Sequence, residues 1–203
     1  MGQEIVCFGE LLLRLSAPGR EKLLQTPRLD VHVGGAEANV AVSLACLGHR
    51  LGVLGTVAGN SLGDAAVGEL RRHGVDTASL RRTDGRMGLY FLATGAIHRP
   101  SEVLYDRADS AFARARPRDY DWDALLQGAA WLHLSGVSPA LGADCAVTTI
   151  EAPRAARRVG GRVSFDGRAQ GPLDAVTASL TVPAGSKLRI LDDDYALGPV
   201  DVG

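Results

Sequence analysis

The chain has 203 residues, 46% of them hydrophobic, enough to build the core of one domain. Its formal net charge is -1, and no run of Lys or Arg is long enough to track a phosphate backbone, which argues against nucleic acid as a partner. No apolar run approaches a membrane span, and Met1 to Glu10 lacks the charged-then-apolar form of a signal peptide, so a cytoplasmic protein without a membrane partner is expected.

Glu4 to Gly9 reads as a buried strand, with Ile5, Val6, Cys7 and Phe8 consecutively apolar. Leu11, Leu13 and Leu15 then alternate as far as Ser16, and Leu29, Val31 and Val33 repeat the alternation. Period two predicts strands with one sheltered face, a second layer inserted between the first core strand and the first helix. That helix opens at Gly34-Gly35-Ala36-Glu37-Ala38-Asn39-Val40-Ala41 and runs to Gly48; the spacing of Val40, Leu44 and Leu47, with Ala41 and Ala45 beside them, predicts a buried face. A glycine pair at a helix start can present free backbone N–H groups to hydroxyl or carboxylate oxygens, and the Asn39 amide both donates and accepts, which suits a sugar. A tight turn and a solvated helix residue would use the same letters, and the pair alone does not decide.

Leu51 to Val57 reads as a second core strand, and Asn60 as the N-cap of a helix reaching about His73. Alternating strands and helices at short spacing predict a parallel, right-handed α/β sheet. A second excursion, Gly88 to Thr94 and Glu102 to Arg107, turns around Arg99 and Pro100. Its alternation puts Tyr105 and Arg107 on one face, either a phenol and a guanidinium that grip an anionic small molecule or an ordinary exposed edge. The core resumes with a strand over Ala129 to Ser135, a helix from Gly142 to about Val159, and a strand over Arg162 to Asp166. Asp166, at a strand's carboxyl end, reads either as lining a ligand site or as capping the next turn. Cys7, Cys46 and Cys145 read as buried reduced thiols, and no metal-ligand set is recognised.

Seven ordered segments carry a resemblance: Phe8-Gly9-Glu10; Gly34 to Ala41 with Gly48; Val57-Ala58-Gly59-Asn60-Ser61-Leu62-Gly63; Tyr90; Tyr105-Asp106-Arg107; Leu132-His133-Leu134-Ser135-Gly136; and Val163-Ser164-Phe165-Asp166. Together they resemble the N-terminal part of a ribokinase-like, PfkB-type carbohydrate kinase of the 2-keto-3-deoxygluconate branch. The resemblance implies an α/β fold, with a Rossmann-like parallel sheet flanked by helices over residues 1–166. It also implies a small β-sheet lid, its strands at approximately 10–33 and 87–107. It implies ATP-dependent phosphorylation of a small sugar acid, with ATP and Mg²⁺ as cofactors and a homodimer formed through the lid. Gly34, Gly35 and Asn39 would hold sugar hydroxyls, Tyr90, Tyr105 and Arg107 would reach in from the lid to the keto acid, and Glu10 and Asp166 would line the site. Fructose or another hexose is the alternative substrate.

The chain also departs from the pattern. Ala58 and Asn60 stand where the family usually has Gly and Asp, and Gly167-Arg168-Ala169 replaces an Asn-x-Arg continuation, with Arg168 a displaced counterpart for substrate binding. No Asn-x-x-Glu follows, and no Gly-Ala-Gly-Asp, the motif that would supply the anion hole and the aspartate base; no catalytic residue is therefore assigned. Leu62-Gly63-Asp64-Ala65 and Gly142-Ala143-Asp144-Cys145 look similar but read as helix starts. The stretch 167–203 reads as a divergent tail, frameshifted or disordered, with a turn at Ala184-Gly185-Ser186-Lys187, a solvated Asp192-Asp193-Asp194, and the C-terminal part of the fold missing. Two functions stay open: a sugar kinase by descent, or a catalytically inactive fragment that binds a sugar acid or dimerises through its lid.

Overall fold

The computed structural model describes residues 5–167, 188–190 and 198–200. Arg168 and the turn and acidic run expected near its end lie outside the described residues. In chain order the elements are β1 (Ile5–Phe8), β2 (Leu12–Ser16), β3 (Asp30–Gly34), α1 (Ala36–Cys46), β4 (Leu51–Ala58), α2 (Ser61–Arg72), β5 (Leu80–Thr83), β6 (Gly88–Ala93) and β7 (Glu102–Asp106). They continue with α3 (Trp122–Leu126), β8 (Trp131–Ser135), α4 (Ala143–Arg158), β9 (Arg162–Asp166) and a short antiparallel pair, β10 (Leu188–Ile190) and β11 (Gly198–Val200). A five-stranded parallel sheet takes the order β5-β4-β1-β8-β9, and a four-stranded mixed sheet the order β3-β2-β6-β7. The described residues fall into two compact units, one within Cys7–Ala115 and one within Met1–Val6 and Arg116–Gly203.

In the Cys7–Ala115 unit, β4 is buried at all eight positions, as befits a strand covered on both faces, and it pairs in parallel with β5. The two excursions form the four-stranded mixed sheet: β2 pairs antiparallel with β3 and parallel with β6, and β6 pairs antiparallel with β7. The sheltered face expected for β3 is not found. Val31 is 59% exposed and β7 is exposed throughout, because these two are the edge strands. The buried face of α1 differs too: Glu37, Ala38 and Ala41 are buried, whereas Leu47 is 75% exposed beyond the last turn. Small residues let the helix lie close, and the larger Val40 and Leu44 stay half-buried.

Asn60 caps α2 as expected, its Oδ1 accepting from the N–H groups of Leu62 and Gly63 at 3.1 and 3.2 Å. Asn60→Ala should cost about 1 kcal/mol, read as a lower urea midpoint at unchanged slope. Of the cysteines, Cys7 and Cys145 are buried but Cys46, at the end of α1, is exposed, which corrects the expectation of three buried thiols. Burial, with the Glu37 charge adding to it, pushes the Cys7 thiol up to about 12. A thiol reagent is expected to titrate one thiol in the folded chain, lost in Cys46→Ser, and three after denaturation; fast labelling of Cys7 would contradict this burial.

In the second unit β8 and β9 pair in parallel, and α4 packs on both as well as on α3. The buried side of α4 is made of Cys145, Thr148, Thr149, Ala152, Pro153, Ala155 and Ala156, small residues that bring it close, over a core that includes Leu126, Leu132 and Leu134. Both near-matches to the missing motif are helix starts: Asp64 lies in the first turn of α2 and Asp144 in that of α4. Among the described residues no helix is long and apolar enough to cross a membrane.

Candidate functional site

Strand register builds the site. Across the lid sheet, His32 of β3 pairs with Arg14 of β2, Arg14 with Tyr90 of β6, and Tyr90 with Tyr105 of β7. Cross-strand partners share a face, so these four side chains form one polar row. The Tyr90 and Tyr105 rings lie 5.8 Å apart between centroids, and the Arg107 guanidinium sits 5.6 Å from the centre of the Tyr105 ring, within cation–π range. The Tyr90 hydroxyl reaches Gly34, where a Cβ would lie 3.1 Å from it. Gly34, Tyr90, Tyr105 and Arg107 thus lie in one chain of contacts, and Arg107 follows β7 rather than belonging to it.

Glu10 is the buried centre of this cluster, at 3% exposure. Its Oε2 accepts from Arg107 Nε at 2.9 Å and Nη2 at 2.6 Å, and its Oε1 accepts from the Ser110 hydroxyl at 2.5 Å. Burial raises the Glu10 carboxyl from its ordinary range, opposed by the Ser110 hydrogen bond and the Arg107 and Arg86 charges. Arg86 clamps the end of β7, donating to both the backbone oxygen and the carboxylate of Asp106 at 2.8 Å, and so fixes the residue between Tyr105 and Arg107. Its hydrogen bond, with its charge adding to it, holds the Asp106 carboxyl below the usual range.

Gly35 precedes α1 with φ 144°, buried and packed against the Glu10 carbonyl, so its place in the cluster is structural. Asn39 is exposed and faces elsewhere on the same helix. It lines a cleft of about 330 Å³ with Val42, Ser43 and Glu69, and a wider one of about 750 Å³ with Arg14, His32 and Arg72. Arg14 thus connects the two groups, being the register partner of Tyr90 and a wall of the Asn39 cleft. Its Nε is buried without a hydrogen-bond partner among the described residues. In the other unit Asp166 ends β9 exposed, its backbone oxygen accepting from Gly136 N at 2.7 Å. Burial lowers the nearby His133 below its ordinary range, with the Asp166 charge opposing, and Ser164 Oγ lies 3.1 Å from its Nδ1.

Arg14, His32, Arg86 and Ser110 were not anticipated. A signal existed for the first two, since both point with the period-two alternation toward the same lid face as Tyr90. Ser110, a hundred residues from Glu10, had none. Among the described residues no group of three or more His, Cys, Asp or Glu could hold a metal ion.

The pfkB family carbohydrate kinase profile matches residues 2–182. The chain belongs to this family. Among curated kinases it is 37% identical over 166 residues to 2-dehydro-3-deoxygalactonokinase of Haloferax volcanii, covering 82% of this chain and 52% of that one. It is 30% identical over 167 residues to 2-dehydro-3-deoxygluconokinase of Bacillus subtilis, covering 82% and 51%. The chain spans about half the length of the curated relatives it matches. Of solved structures, the 2-dehydro-3-deoxygluconokinase of Thermotoga maritima superposes with a TM-score of 0.79 at 44% identity, covering 83% of this pfkB chain and 52% of its own. Fructokinase with bound ATP from Xylella fastidiosa superposes with a TM-score of 0.71 at 30% identity, covering 83% and 49%.

Proposed function

We propose that this pfkB chain carries the sugar pocket and lid of an ATP-dependent, cytoplasmic kinase for 2-keto-3-deoxygluconate or its galactonate epimer. The observation that carries it is the Arg107 guanidinium, part-buried beside the Tyr105 ring just after β7, because a guanidinium matches two carboxylate oxygens and a neutral hexose has none. The names of the relatives from Haloferax volcanii and Bacillus subtilis support the same substrate class. ATP as phosphoryl donor is supported by family membership and by the nucleotide in the Xylella fastidiosa structure. A homodimer through the lid is supported by the apolar groups its edge strands leave exposed, Val31, Val103 and Leu104.

Calorimetric titration of the full chain with the two keto acids and with fructose tests the substrate class. Tighter binding of a keto acid than of fructose is expected, and preference for fructose would overturn the substrate.

A further inference from the structure

Arg107 offers five N–H donors on a rigid plane, and two of them, Nε–H and one on Nη2, go to the same Glu10 oxygen. That consumes the side edge of the guanidinium and leaves the end edge, shared by Nη1 and Nη2, without a hydrogen-bond partner among the described residues. We propose that Glu10 is a positioning residue for the sugar acid: by gripping the side edge of Arg107 it keeps the end edge set for the two oxygens of a substrate carboxylate. The proposal rests on the keto-acid reading above and adds what orients its central residue.

Glu10 suits the task because nothing near it can move cheaply. Its side chain is 2% exposed, its second oxygen is held by Ser110, and Ser110 is held in turn, its Oγ accepting from Ala113 N at 3.1 Å and its backbone N–H donating to Arg107 O at 3.3 Å. The Glu10 carboxylate fills the space where a side chain at Gly88 would begin, and its carbonyl packs on Gly35. Arg107, at 13% side-chain exposure, has the Tyr105 ring beside it, which fixes its plane further. A flexible arginine would lose part of its binding energy to ordering, whereas one already held does not.

The test is a binding cycle on the full chain with 2-keto-3-deoxygluconate, using Glu10→Gln, Arg107→Lys and the double variant, each checked for folding by circular dichroism. Arg107→Lys keeps a charge beside Glu10 but removes the fork. Glu10→Gln should weaken binding about tenfold in the native background and less than twofold in the lysine background, because there is no fork left to aim. Equal weakening in both backgrounds would overturn the proposal, since Glu10 would then act on its own or through folding. A second readout is independent of ligand: the Arg107 Nε–H should give a slowly exchanging ¹⁵N resonance that Glu10→Gln abolishes, and a fast-exchanging signal in the native chain would overturn the proposal. Absence of keto-acid binding by a folded chain with a protected Nε–H would instead overturn the substrate reading and, with it, the role of Glu10 toward substrate.

Discussion

Arg107→Ala is expected to cost about 3–5 kcal/mol at pH 7, because it leaves the Glu10 carboxylate buried and unpaired. Against a stability of about 5–15 kcal/mol for a typical domain, this is large. The cost should shrink in acid. Burial already raises the Glu10 carboxyl, and without Arg107 the Ser110 hydrogen bond and the Arg86 charge are left to oppose it. The folded variant therefore holds a proton at pH values where the unfolded carboxyl, near about 4.3, has lost it. Stability is then fullest below that value and is lost as pH rises through the folded value, so the deficit at pH 5 should be smaller than at pH 7. Urea unfolding at both pH values would show it, and adding Glu10→Gln should recover much of the loss by removing the charge. An equal deficit at both, with no recovery, would mean that the pair contributes packing rather than charge compensation. The pair Arg158 and Asp123 marks the contrast: both side chains are more than half exposed, and its removal should change stability by less than about 1 kcal/mol.

The elements legible in the sequence were those whose pattern is set locally. The apolar run of β4, the strands at β2 and β6 and the Asn60 cap all follow from neighbours a few residues away and appear where expected, whereas the alternation expected along β2 is not found, Leu12 and Leu13 both being buried. β5 was invisible because its letters, Leu80-Arg81-Arg82-Thr83, hold one apolar residue; pairing with β4 makes it a strand. The burial of α1 was misjudged because periodicity weighs large side chains, while close packing selected Ala38 and Ala41. Gly34, Tyr90, Tyr105 and Arg107 were singled out by ordered motifs, but what holds Arg107 in place was not. Glu10 meets Arg107 and Ser110 about a hundred residues on, and no local signal reports a contact of that span. The tail holds no comparable test, since Arg168 lies outside the described residues.

The glycine pair carries the second large prediction. Gly35 has φ 144°, a backbone conformation that L side chains rarely adopt, and a Cβ there would stand 2.5 Å from the Glu10 carbonyl oxygen and 3.3 Å from the Ala38 Cβ. Both chain segments are anchored, for Gly35 O accepts from Asn39 N at 2.9 Å at the start of α1, and Glu10 is pinned by Arg107 and Ser110. Gly35→Ala should therefore cost about 3 kcal/mol or more, strain and overlap together. Gly48→Ala is the control: φ is also positive, at 88°, but nothing lies within 4 Å of the added carbon, so the cost should stay near 1–2 kcal/mol. Urea denaturation of the two variants separates backbone conformation from close approach. If Gly35→Ala costs no more than Gly48→Ala, the contact with Glu10 is soft, and the glycine at 35 answers to a ligand. If it costs far more, the residue is required first to seat β3 and α1 against the residue whose carboxylate holds Arg107, and the Arg107 cluster depends on a packing constraint that the motif also encodes.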